Sequence, residues 1–464
     1  MRRGRFLALG FVLTAAASAL LGGANSACTS SDTRGSGGSS VILDPIVIGV
    51  SNTLTGGLKG IGGPLQNAVR VAEQYINSAG GILGRKVRFV IQDDASDEGA
   101  LVTSTVKSLL AQNAVAILGP NGSGQVAAVE QFLGEQKIVA ISATATSPIL
   151  TQAQGGSTGF FFRTVPPDDF QGRAVVNVVV NGPQGAPPND GGGSNAVCRR
   201  LALFYYTNTY GTAMAAVIKQ VLREKHPSVS IVAEVSVDTA VKSNYDVEVG
   251  KIVLARPDCL AMIIYDDVGD VFMTTLNAAT TPPPSGWNPS FFVIGTDGVF
   301  TDDFIVNGRQ NRADPKSPTA ADGVYGTNPD TNPGTTQYND FKNLYLAAFP
   351  LAPGKTDLDA YVANEFDAAL VIALAIQQAR GTSDRIKLRD AVYANSNGNN
   401  TAYGPADLVG ALEALERGDK IHYRGASGDL QFDPRGDVVA GYIVWRANKT
   451  GFDTIRHIPA DELK

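Results

Sequence analysis

The chain has 464 residues, long enough for more than one domain and a sizeable core. Apolar residues make up 44%, an ordinary value for a globular protein, and the formal net charge is −6. A mildly acidic chain without a basic patch argues against nucleic acid as a partner. His226, His422 and His457 lie far apart without metal-ligand spacing, which argues against a metalloenzyme. No metal and no cofactor are expected.

The N-terminus carries Arg2, Arg3 and Arg5, then the apolar stretch Phe6 to Leu21, then small residues to Ala27. A basic start, a short apolar core and small residues read as a secretory signal peptide over residues 1–27. The apolar stretch is short for a membrane span, and the polar tract Thr29 to Ser40 follows it. Arg2-Arg3 hints at twin-arginine export, but Phe6 stands one position too late, so the general secretory route is expected. Ser26-Ala27-Cys28 resembles a bacterial lipobox, in which Cys28 becomes the lipidated first residue; Asn25 stands where that pattern has an aliphatic residue. Simple cleavage after Ala27 and release is the alternative. The expected location is the periplasm or cell surface, with residues 28–45 as a Ser/Gly-rich tether.

From Ile46 strands and helices alternate. Ile46–Val50, Val87–Ile91, Val115–Leu118 and Ile138–Ile141 read as buried strands. Helices are expected around Leu65–Ile76, over Leu101–Gln112 and over Val126–Gln136. After Phe160–Arg163 and Pro166-Pro167 the pattern restarts, with Val175–Val180 inside a helix. Residues 181–196 are rich in Gly, Pro and Asn and read as a surface insertion. Strands Leu201–Tyr205, Val229–Val235, Leu260–Ile264 and Phe291–Ile294 then alternate with helices Ala213–Arg223, Tyr245–Ala255 and Val271–Ala278. Thr280–Ser290 reads as an exposed loop. Such alternation predicts parallel sheets with helices on both faces, in two similar units. A third stretch differs. Tyr361–Ala379 is a long apolar helix, and Ser427–Phe432 and Tyr442–Arg446 read as strands joined by the turn Asp433-Pro434-Arg435-Gly436.

Cys198 and Cys259 remain once Cys28 is set aside, an even pair in an oxidising compartment. Each stands just before a strand, and the first and third strands of a doubly wound unit are neighbours. A disulfide is expected, with two separate buried thiols as the alternative.

Ligands of open parallel sheets bind outside the carboxyl ends of the strands. Three such ends in the first unit carry small polar loops: Ser51 to Gly57, Gly119 to Gly124 and Ser142 to Pro148. Helix N-termini with Ser and Thr hydroxyls suit a carboxylate, and no phosphate-loop Lys is present. Ser, Thr and Asn also serve as ordinary N-caps. In the second unit Asp297, Tyr210 and Tyr265-Asp266 stand at strand ends. Asp297 could pair with an ammonium.

At these residues the sequence resembles the leucine/isoleucine/valine-binding protein family, type I periplasmic solute-binding proteins of ABC importers. The resemblance rests on Ile46-Val47-Ile48-Gly49 leading to Thr55-Gly56-Gly57, on Asn77 to Gly84, on Asp93-Asp94 and on Gly119-Pro120 with Ser123. It continues through Ser142 to Leu150, Phe162-Arg163-Thr164, Tyr210-Gly211, Gly295-Thr296-Asp297-Gly298 and Gly425 to Gly428 with Phe432-Asp433. It implies two doubly wound α/β lobes joined by a three-crossing hinge, closing on a small amino-acid-like ligand that is delivered to an ABC permease. Ser123 and Thr146 match the family's ligand-carboxylate contacts, Thr144 presents a backbone group, Tyr210 is an aromatic of the second lobe, and Asp297 takes the α-ammonium. Ile61 stands where an aromatic often covers the ligand side chain, and Phe366 where a Tyr may occur in the family. The implied division is 46–165 plus 324–440 in lobe I, and 166–323 plus 441–464 in lobe II, in a monomer.

A ligand sensor, or a binder of amides, urea or aromatic acids on the same fold, is the alternative function. A secreted hydrolase with Ser123 as nucleophile is disfavoured. Gly122-Ser123-Gly124 lacks the spacing of a nucleophile elbow, and no histidine is expected near a strand end. The chain reads as a binding protein and not an enzyme.

Overall fold

The computed structural model describes residues 43–153, 159–185, 197–351, 355–396 and 398–464. The expected signal peptide, Cys28 and nearly all of the tether lie outside the described residues, as do residues 186–196 of the expected insertion.

The first sheet is built from β1 (Ile46–Asn52), β2 (Val87–Asp93), β3 (Ile117–Leu118), β4 (Ala140–Ser142) and β5 (Phe161–Arg163), in the order β2-β1-β3-β4-β5, all parallel. Strand β1 is buried along its whole length. An apolar, β-branched run of this kind belongs at the centre of a sheet covered on both faces. The covering helices include α1 (Lys59–Ser78), α2 (Ala100–Ala111) and α3 (Ser123–Glu135), with the short α4 (Ile149–Ala153) after β4.

The chain then crosses to a second sheet. Helix α5 (Asp168–Asn181) leads into β6 (Arg200–Tyr206), α6 (Thr209–Lys225), β7 (Ser230–Val237), α7 (Asp246–Ala255), β8 (Cys259–Ile263), α8 (Asp266–Ala279), β9 (Phe292–Gly295), α9 (Asp302–Asn307) and β10 (Tyr325–Pro329). Strand β6 lies beside β8, with Leu201 opposite Cys259. The sulfurs of Cys198 and Cys259 are bonded, with Cα atoms 5.8 Å apart.

The third stretch returns to the first lobe with α10 (Thr336–Ala348), α11 (Val362–Ala379), α12 (Arg385–Ala394), β11 (Thr401–Tyr403), α13 (Leu408–Arg417), β12 (Ile421–Gly425) and β13 (Gly428–Asp429). Helix α11 is apolar on nearly every side because it is enclosed by α1, α12, α13 and the first sheet. The chain ends in the second sheet with β14 (Tyr442–Ala447) and β15 (Phe452–Ile458), giving the order β15-β14-β10-β9-β8-β6-β7.

Three expectations need correction. Residues 324–329 belong with the second sheet, because β10 is held between parallel β9 and antiparallel β14; the crossing back follows Pro329 instead of preceding Val324. Helix α3 begins at Ser123, three residues before the apolar periodicity, because Gly122 is extended and its N–H donates to Gln125 Oε1 at 2.6 Å. Ser427–Phe432 is mostly irregular. The buried Asp367 carboxylate accepts from the Ala426 and Ser427 amides and the Ser427 and Tyr423 hydroxyls, which draws the chain into a turn between β12 and β13.

The crossings are tied together. Thr164 Oγ1 donates to the Asn364 carbonyl at 2.9 Å, and Asn364 Nδ2 donates back to the Thr164 carbonyl at 2.6 Å. Arg163 is fully buried. Its Nε meets Asp437 Oδ1 at 2.6 Å, and its other nitrogens donate to the Ala145 and Ser147 carbonyls and to Thr151 Oγ1. One guanidinium thus joins β5, the loop after β4 and the segment leading into β14.

Candidate ligand-binding site

The carboxyl ends of the two sheets face one cavity with about 450 Å³ of space between atoms, part of it open to solvent. The first lobe contributes Gly57, Leu58, Ile61, Asn121, Gly122, Ser123, Thr144 and Thr146. The second contributes Tyr210, Tyr265, Asp266, Asp297, Gly298 and Thr301, and Tyr361 stands at the start of α11. All five residues expected at a ligand therefore line the same space: Ser123, Thr144, Thr146, Tyr210 and Asp297.

On the first lobe, Ser123 is the first residue of α3, so the N–H groups of that turn have no helical acceptor. Ser123 Oγ accepts from the Ser147 amide at 3.1 Å, which leaves its own proton to donate. Thr144 Oγ1 donates to the Asn121 carbonyl, and Ser142 Oγ donates to the Pro120 carbonyl at 2.7 Å while accepting from the Ala145 amide. These bonds lock the two loops to each other. Beneath them Asp94 accepts from Ser51 Oγ at 2.7 Å and from Gln125 Nε2, and burial pushes its carboxyl up to about 6. Neutral donors and a helix N-terminus at one spot suit a carboxylate.

On the second lobe, Asp297 is 6% exposed. Its Oδ1 accepts from the Tyr210 hydroxyl at 2.6 Å and its Oδ2 from the Tyr361 hydroxyl. The Tyr210 ring stacks on Tyr265, with centroids 5.5 Å apart. Asp168, the first residue of α5, is fully buried near Asp297, and the Thr146 side chain is the donor close to its carboxyl. Burial first, and then the neighbouring Asp297 charge, push Asp168 well above the usual carboxylate range; burial raises Asp297 as well. Two buried carboxyls this close resist double ionisation unless a cation joins them. An ammonium is the natural complement.

Asp168 and Tyr361 escape sequence reasoning. Asp168 follows Pro166-Pro167, and no local pattern marks it as a site residue. Tyr361 reads as the first residue of a helix. In the structure it caps α11 with φ of +66°, a left-handed conformation rare for an aromatic, which turns its ring toward the cleft. Phe366, taken as the position of a family tyrosine, lies in the first-lobe core stacked on Phe341 at 4.4 Å, away from the cavity. Ile61 does line the cavity. The lobes also meet directly, through Asn208 Nδ2 to Glu98 Oε1 at 2.9 Å and Ser147 Oγ to the Thr209 carbonyl at 3.1 Å. Among the described residues no group of three or more His, Cys, Asp or Glu could hold a metal ion.

Comparison with known proteins agrees with the two-lobed fold. The sequence pattern described as "Periplasmic binding protein" matches residues 45–417. The chemotactic signal transduction system substrate-binding protein BasB of Halobacterium salinarum is 22% identical over 430 residues, 88% of this chain and 89% of that protein. The Leu/Ile/Val-binding protein BraC3 of Rhizobium johnstonii is 27% identical over 290 residues, 61% and 73% of the two chains. Among solved structures, a leucine binding protein LivK from Thermotoga maritima superposes with a TM-score of 0.69 at 18% identity, covering 90% of this chain and 99% of that one. A solute-binding protein of an ABC transporter from R. palustris, in complex with benzoate, gives 0.67 at 16% identity over 90% and 97%. Both share the type I fold of two α/β lobes. The chain belongs to the periplasmic binding protein family, with Leu/Ile/Val-binding proteins among its relatives.

Proposed function

We propose that this protein captures a small amino-acid-like ligand, of the kind bound by branched-chain amino-acid binders, and hands it to an ABC permease without turning it over. The observation that carries this reading is one cavity with opposed handles. Ser123, Thr146 and the α3 N-terminus offer neutral donors to an α-carboxylate, while Asp297, held by two tyrosine hydroxyls, faces the α-ammonium. Ligand contacts to both lobes would favour the closed state by their differential free energy. The protein acts as a monomer, exported and tethered at a lipidated Cys28; Cys28→Ser should release it from the membrane fraction.

Isothermal titration against the standard amino acids, after stripping ligand by unfolding and refolding, tests the reading. No binding tighter than millimolar by any of them would reject it, and mass spectrometry of co-purifying small molecules offers a direct check. Similarity to BasB along most of the chain favours one second reading, in which the same ligand capture feeds a sensory receptor. Co-purification with a permease or with a signalling receptor separates the two.

A further inference from the structure

One polar atom of a cavity-lining residue has no use in the handles described above. Asn52 Oδ1 accepts from the Thr53 amide at 2.9 Å, and Asn52 Nδ2 donates to the Gly62 carbonyl at 3.0 Å. The atom of Asn121 that meets Asn52 Oδ1 at 3.0 Å is therefore the donor Nδ2, so the other end of that amide is its oxygen. Asn121 lines the cavity at 2% exposure, and its Oδ1 is buried without a hydrogen-bond partner. A buried acceptor of this kind calls for a donor.

The second lobe presents another acceptor to the same cavity. Asp266 begins α8 and is 2% exposed. Thr301 caps α9 by accepting from the Phe304 amide at 3.2 Å, and its hydroxyl proton goes to Asp266 Oδ2. A Cβ at Gly60 would collide with Oδ2, so the carboxyl is seated against the start of α1 in the opposite lobe. Asp266 and Asp297 follow neighbouring strands, since Met262 of β8 pairs with Gly295 of β9. Adjacent strands lie about 4.8 Å apart, and both carboxyls line the one cavity. No Lys or Arg lines the cavity among the described residues, and Asp267, Asp270 and Asp303 add negative charge around Asp266. Lys59 and Arg312 are the cations acting near Asp270. Burial pushes the Asp266 carboxyl up to about 7.

We propose that the ligand is an α-amino acid whose side chain ends in an N–H donor (ammonium, guanidinium or amide), received by Asn121 Oδ1 from one lobe and by the Asp266 carboxyl from the other. This rests on the amino-acid reading of the two handles and replaces the branched-chain side chain in it with a donor-bearing one. An apolar side chain would leave Asn121 Oδ1 unpaired, a type of mismatch that sites use to discriminate strongly.

The test is titration of the stripped full-length mature protein with lysine, arginine and glutamine against norleucine and leucine. At least one donor-bearing ligand should bind tenfold or more tighter than norleucine. Asn121→Leu should shrink that preference at least tenfold. Asp266→Asn should weaken the cationic ligands at least tenfold and weaken glutamine less than it weakens them, with circular dichroism unchanged in both variants. Leucine or norleucine binding as tightly as every donor-bearing ligand would overturn the inference and leave the amino-acid reading standing. Failure of all five, with binding of some other compound class, would overturn both. An unchanged preference in both variants would remove Asn121 and Asp266 as its source.

Discussion

Glu365 offers a sharp test of the packing around α11. It is fully buried, neither carboxyl oxygen has a hydrogen-bond partner, and burial alone pushes its pKa up to about 8. In the unfolded chain a Glu titrates near 4.3. Below that value the residue is protonated in both states and its favourable contribution is fully present. As pH rises toward 8 the unfolded chain releases its proton while the folded chain keeps it. Stability therefore falls by about 1.4 kcal/mol per pH unit through this window and levels off above the folded value. Glu365→Gln keeps the shape and removes the titration. The stability of the variant minus that of the native protein should grow by about 4 kcal/mol between pH 5 and pH 8. With an unfolding entropy of about 2.1 cal/mol/K per residue, that is a relative rise in Tm of about 4 °C. Other titrating groups are common to both proteins and cancel in the difference. Paired thermal melts at half-unit steps of pH provide the measurement. A Tm difference constant within 1 °C would mean that Glu365 is ionised in the fold, and the description of its surroundings would be wrong.

Asp297→Asn, which removes the charge and keeps the size, should weaken α-amino-acid binding at least a hundredfold, about 2.7 kcal/mol, by titration calorimetry; an effect under threefold would take Asp297 out of the ammonium site. Because burial raises both Asp168 and Asp297, binding an ammonium should be coupled to proton release, so affinity should rise with pH and the binding heat should depend on buffer ionisation enthalpy; a flat profile speaks against the pair. Asp437→Asn strips the buried Arg163 of its carboxylate and should destabilise the protein by about 3 kcal/mol in urea titration, with little loss if solvent reaches the guanidinium. Replacing Cys198 and Cys259 together by Ser opens a loop with a sequence separation of 61 and should cost about 4 kcal/mol on the chain-entropy estimate; an unchanged urea midpoint under oxidising conditions would mean the thiols are not bonded in solution.

Much of the framework was legible from residue order. Strands β1, β2, β6 and β7 are apolar runs between turn residues, and period alone marks them along with the helices that follow. The cleft residues Ser123, Thr144, Thr146, Tyr210 and Asp297 were found because each follows a strand, and strand ends of parallel sheets converge by geometry. What escaped were groups whose role depends on remote partners. Helix α3 starts at Ser123 because of a side-chain cap, which apolar spacing does not record. Strand β10 lies in the second sheet because β14, more than a hundred residues later, pairs with it. Asp168 gains its significance only from the Asp297 charge that acts on it, and Tyr361 looks like a helix residue until its backbone turns left-handed. Local pattern depends on a few neighbouring residues and is therefore written in the sequence. Burial, pairing and the orientation of Asn121 arise only when segments remote in sequence meet, and tertiary structure alone decides them.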